Sequence, residues 1–76
     1  MQADDLVRMA NQIAQFFTPY PTDEAVAGVE EHLEKFWTPA MRKELTAICR
    51  GMMPSDHVPH ALVVQAVRRL ADGPHE

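Results

Sequence analysis

The chain is poor in everything that would anchor a small protein covalently or bind phosphate. Its 76 residues contain one cysteine, Cys49, so no internal disulfide can form. Its three glycines, Gly28, Gly51 and Gly73, are scattered, which excludes a glycine-rich phosphate loop. Positive charge is also scarce: seven Lys and Arg face eleven Asp and Glu, for a formal net charge of -4. That balance disfavours nucleic acid, whose non-specific binding comes from cations neutralising phosphates. No apolar run approaches the roughly 20 residues that span a bilayer, so no membrane association is expected. Alternating β-branched runs are missing too, which leaves helix as the expected regular structure. A lone thiol suits a reducing compartment, and the N-terminal residues Met1 to Asp5 lack the basic and apolar regions of a signal peptide, so the expected location is cytoplasmic.

Pro, Thr and Gly divide the chain into four helical segments, predicting an all-α fold, a single domain over residues 1–76. The first starts near Asp4 or Asp5, which suit the cap position, and ends before Thr18-Pro19. At 100° per residue Leu6, Ala10, Ile13 and Phe17 form one stripe, flanked by Met9 and Phe16 on one side and Val7 and Ala14 on the other. Only Arg8, Asn11, Gln12 and Gln15 remain for water. This apolar arc covers about half the helix, wider than the ~100° that packing on one core requires.

The second helix is expected to be capped by Thr22 or Asp23, to bury Val26, Val29, Leu33, Phe36 and Trp37, and to turn Glu30, Glu31, Glu34 and Lys35 to water. Thr38-Pro39 signals a third start, a capping hydroxyl followed by proline at the first helical position. That helix runs to about Arg50, with Met41, Leu45 and Ile48 inward, Cys49 at the edge and Gly51 in the left-handed C-terminal position. The last runs from about Pro59 to Gly73-Pro74, with Leu62, Val63, Ala66, Val67 and Leu70 on its apolar face.

No catalytic, cofactor or metal site is expected. His57 and His60 are three apart with Pro59 between them, and neither Cys49 nor His32 completes a zinc spacing, so the two read as exposed loop histidines. Cys49 reads as a small hydrophobe and the Glu30, Glu31 and Glu34 cluster as a solvated face. The order Ser55-Asp56 is the reverse of what a phosphopantetheine carrier needs. Met9 and Met41 read as core filler, while Met52-Met53 in a loop is less easily assigned. What remains is an excess of apolar face over core, which should leave surface for a partner.

The run Leu6-Val-Arg-Met-Ala-Asn-Gln-Ile-Ala-Gln-Phe-Phe17, with Asp23-Glu-Ala-Val-Ala-Gly-Val29, His32-Leu33 and Lys35-Phe36-Trp37-Thr38-Pro39, resembles the delta subunit of NAD-dependent formate dehydrogenases, most closely over residues 6–42. The resemblance implies a small accessory subunit of a molybdenum- or tungsten-dependent complex that oxidises formate to carbon dioxide and reduces NAD. It places the pterin cofactor, iron–sulfur clusters and FMN on the larger chains, and makes those chains, the catalytic alpha chain among them, the partners. Arg8, Asn11, Gln12, His32 and Trp37 belong to the resembling stretch without being dictated by helix periodicity. With Phe16 and Arg42 they are the expected partner-binding residues, although Trp37 suits a core position equally. Where the family often carries an arginine this chain has Ala40, leaving Arg42 to serve. A transient assembly chaperone or regulator and a self-associating helical domain are the two other readings.

Overall fold

The breaks predicted from Pro, Thr and Gly between the four helices are breaks in the path of the chain. The computed structural model describes residues 3–71, in which α1 spans Ala3–Phe17, α2 Thr22–Phe36, α3 Pro39–Cys49 and α4 Ala61–Ala71. No strand occurs among the described residues. The expected end of the last helix at Gly73-Pro74 lies outside them.

The ends written in local sequence form as expected. Thr38 Oγ1 accepts from the Met41 N–H at 3.1 Å with Pro39 next in line, which starts α3. Gly51 takes φ +76°, its N–H bonds to the Ile48 carbonyl and the Met52 N–H to the Ala47 carbonyl. That pair of bonds is the Schellman closure, which needs a residue tolerant of positive φ.

The other ends differ from expectation. Asp4 and Asp5 lie inside the first turn of α1 rather than capping it, where their charge still opposes the helix dipole. α2 has no side-chain cap: Pro21 holds the cap position with φ -54° and ψ 150°, and its carbonyl accepts from the Ala25 N–H at 2.8 Å. Thr22 and Asp23 therefore fall inside the first turn rather than at the cap, where the charge of Asp23 still opposes the helix dipole. α4 starts at Ala61 instead of Pro59, because His60 caps it: Nδ1 accepts from the Leu62 N–H at 3.0 Å and the carbonyl from the Val64 N–H. His60 is therefore a half-buried structural residue, and only His57 is the exposed loop histidine expected.

The core is aliphatic and drawn from all four helices. Leu6, Val7, Ala10 and Ala14 of α1 meet Val26, Val29 and Leu33 of α2, Leu45 and Ile48 of α3, and Leu62, Val63, Ala66 and Val67 of α4. α2 and α4 make the most extensive contact, reinforced at its edge by Arg69 and Glu30 at 3.0 Å. No buried polar side chain lacks a partner among the described residues. A radius of gyration of 11.3 Å equals the about 11 Å of a closed fold this long, so the four apolar faces share one core.

The expected inner face of α2 needs one correction. Phe36 is 72% exposed, and Trp37, at 6%, fills the core beside Leu33. The chain leaves helical geometry at Trp37 (φ -100°, ψ 145°), which swings the indole inward and leaves Phe36 outside.

Candidate functional site

The five aromatic residues of the chain fall at the C-terminal ends of α1 and α2 or within three residues beyond them. Each helix closes on an aromatic pair, Phe16-Phe17 and Phe36-Trp37. Each pair sends one ring toward the protein and one away, Phe16-Phe17 because neighbours on a helix are 100° apart, and Phe36-Trp37 because the chain leaves helical geometry at Trp37. Phe16 is 68% exposed beside a half-buried Phe17, and Phe36 is exposed beside a buried Trp37. Phe16 and Phe17 meet edge to face with centroids 5.0 Å apart, Tyr20 lies 5.8 Å from Phe17, and His32 lies 4.8 Å from Phe36.

Between the two helices runs an open groove of roughly 550 Å³. Met9, Ile13, Phe16 and Phe17 form its α1 wall, Trp37 its end, and Gln12 and His32 supply its polar groups. Gly28 shapes it. A β-carbon at that position would lie 2.6 Å from Cζ and 2.8 Å from Cδ1 of Phe17, so the missing side chain is what lets the ring lie against α2. Mid-helix glycine costs about 1 kcal/mol relative to alanine, and here that cost sets the position of an aromatic wall.

Of the seven expected partner-binding residues, the structure gathers Gln12, Phe16, His32 and Trp37 on this groove. Arg8 is exposed, one turn before Gln12 on α1, and paired with Asp5 at 2.6 Å. Asn11 and Arg42 have work inside the chain. The Asn11 amide donates to the Val58 carbonyl at 3.0 Å and accepts from the His60 N–H at 2.8 Å, fixing the loop before α4. Asp4, two turns earlier on α1, accepts from the Ser55 hydroxyl and the Asp56 N–H, both at 2.8 Å. The supposed water-facing side of α1 therefore carries a polar seam. These bonds hold the Asp4 carboxyl below its ordinary pKa, the Ser55 hydroxyl contributing most.

Arg42 caps α2. Its Nη1 donates to the carbonyls of Leu33, Glu34 and Trp37 at 3.2, 3.1 and 2.7 Å, satisfying acceptors that a helix C-terminus leaves open. Met9, Ile13, Phe17, Tyr20, Phe36 and Gly28 were not singled out as site residues. The doublets Phe16-Phe17 and Phe36-Trp37 were the available signal, because two adjacent rings cannot both enter a core this small.

The described residues hold no group of three or more His, Cys, Asp or Glu placed for a metal ion. Burial pushes the Cys49 thiol up to about 11, so at neutral pH it is protonated and a poor nucleophile. No described helix is long and apolar enough to cross a membrane. What the arrangement offers is an apolar, aromatic surface with two polar groups, suited to binding another chain.

Comparison with curated proteins and with solved structures gave no significant match. A family model does match, that of the NADH-dependant formate dehydrogenase delta subunit FdsD, over residues 5–67, which takes in α1 to most of α4. Since the match covers most of the chain, including both walls of the groove, the protein belongs to the delta-subunit family of NADH-dependent formate dehydrogenases.

Proposed function

We propose that this chain is a non-catalytic accessory subunit that docks through the α1–α2 groove onto the larger chains of a cytoplasmic formate dehydrogenase, the catalytic alpha chain among them. Docking stabilises the quaternary structure or assists cofactor insertion. The observation that carries this reading is the separation of aromatic from aliphatic residues. The core is built almost wholly of aliphatic side chains, while Phe16, Tyr20 and Phe36 stand exposed beside the groove. Interface energy concentrates in aromatic anchors of this kind.

Magnitude limits how the docking works. Burying an exposed Phe contributes about 1.5–3 kcal/mol, and association costs an estimated 4–15 kcal/mol in lost freedom. Together Phe16 and Phe36 supply about 3–6 kcal/mol, which at best barely exceeds the lowest cost, so a tight occupant also fills the groove down to Ile13 and Trp37. The pterin, the iron–sulfur clusters and FMN are assigned to the larger chains. An iron–sulfur cluster held by one chain calls for four ligands, at least two of them cysteine thiolates, and this chain has one cysteine.

The test is affinity purification of the tagged chain from its native cytoplasm, with mass spectrometry of the bound chains and an assay of formate-dependent NAD reduction. Large subunits at equal stoichiometry, with activity, support the integral subunit. A sub-stoichiometric, inactive catalytic chain points instead to a transient assembly factor. A chain that elutes only with itself would sink the reading in favour of self-association.

A further inference from the structure

Charge is unevenly divided in this acidic protein. α2 carries five acidic residues and one basic, whereas residues 39–71 carry five basic and two acidic. Arg42 is committed to the end of α2 and Arg69 to Glu30. Lys43 and Arg50 on the α3 side, with Arg68 on α4, pair with no carboxylate among the described residues. These three line two adjoining depressions along the α3–α4 face, of roughly 350 and 120 Å³, which share Thr46 and Arg50.

The floor of the larger depression is apolar. Ala47 and Ala71 lie in it, and Met52 stands 73% exposed at its side. The Met52 backbone is fixed by its bond to the Ala47 carbonyl at 2.8 Å, so the thioether is presented from a defined position. An adaptable apolar side chain beside Lys43 and Arg50, which pair with no carboxylate among the described residues, suits an occupant that is apolar on one side and anionic around it. A phosphate backbone would leave the apolar floor unused and would meet the acidic remainder of the molecule.

We propose that the α3–α4 face is a second docking surface, which takes an acidic amphipathic segment of a protein partner. Its carboxylates lie over Lys43, Arg50 and Arg68, and an apolar side chain sits against Met52 and Ala47. The partner is taken to be one of the larger formate dehydrogenase chains, so the inference rests on the reading above. The subunit would then grip its complex at two places, one apolar and one charge-dependent.

The experiment measures retention of the chain by the purified complex across a sodium chloride series. It compares wild type, the Lys43→Glu/Arg50→Glu double variant, Met52→Ser and Phe16→Ser, each first shown by circular dichroism to melt as wild type does. Charge reversal is expected to weaken retention at low salt at least tenfold and to remove most of its salt dependence. Met52→Ser is expected to weaken retention at every salt concentration. Charge-reversed protein retained like wild type, with the same salt dependence, overturns the second surface, and loss of retention in Phe16→Ser alone then leaves the groove as the sole contact. Capture of duplex DNA by wild type, abolished by the same charge reversal, overturns the choice of a protein segment. A wild-type chain that no large subunit retains removes both readings together.

Discussion

The two arcs of α1 are both apolar, yet they are spent differently. Leu6, Val7, Ala10 and Ala14 are fully buried, whereas Met9, Ile13 and Phe17 are only partly covered and Phe16 lies open. The inner arc is small, with two alanines that let α1 approach its neighbours. The outer arc is bulky and ends in two phenylalanines. In a chain of 76 residues a core has little room, so the half of a broad arc that can sit close to other helices goes in. The half that cannot becomes surface. Side-chain size, added to periodicity, is what separates a core face from a docking face here.

The sharpest way to break this comparison is to cut into the inner arc. Leu6→Ala is expected to cost about 2–5 kcal/mol, as large-to-small core changes do. A small single core rarely holds more than roughly 3–5 kcal/mol, so a large part of the population should unfold. Urea denaturation followed by circular dichroism measures this, and a wild-type midpoint would mean the arcs are assigned the wrong way round.

Arg42→Met comes next. It strips three carbonyls at the end of α2 of a charged donor, and a loss of about 1.5–3 kcal/mol is expected. The same titration reads it, and unchanged stability would mean that these bonds do not hold the end of α2.

Gly28→Ala tests the seam between the arcs. Overpacking against Phe17 costs about 1–3 kcal/mol and the gain in helix propensity returns about 1 kcal/mol, leaving a small net loss. In a Phe17→Ala background the same substitution should stabilise, and a double-mutant cycle without that sign change would show that the ring does not rest on Gly28.

Phe16→Ser should move stability by no more than about 0.5 kcal/mol, as exposed substitutions do, while retention by the complex falls tenfold or more. A destabilised variant would show that the outer arc also holds the fold.

The smallest effect concerns pH. The Asp4 carboxyl titrates below its ordinary value in the folded chain, so its contribution is fully present above the unfolded pKa and is lost as pH falls through the folded one. Comparison of wild type with Asp4→Asn from neutral pH down through the carboxylate range should show the difference in stability shrinking in acid. A difference that stays constant would mean that Ser55 and Asp56 do not depend on the charge.

Much of the candidate site was half legible. Gln12, Phe16, His32 and Trp37 were singled out from the sequence and lie on one groove. Asn11 and Arg42 came out of the same stretch, and both are bound within the chain. Asn11→Ala would consequently release the loop before α4, so its effect on a partner could not be separated from its effect on folding. No local pattern distinguishes Asn11 from Gln12, because what separates them is a loop 47 to 49 residues further along.

By itself the sequence determined the four helices, the Thr38 and Pro39 start, the Gly51 stop and an apolar surplus on α1. Each of these depends on residues within a turn or two of one another, where hydrogen-bond partners and helix period are set by spacing alone. Tertiary structure decided that Phe36 faces out and Trp37 in, that His60 caps α4, that Asp4 and Asn11 hold the distant loop, and that Gly28 seats Phe17. Those outcomes depend on which surfaces compete for the limited space between packed helices, and that competition has no counterpart in the order of residues along one helix.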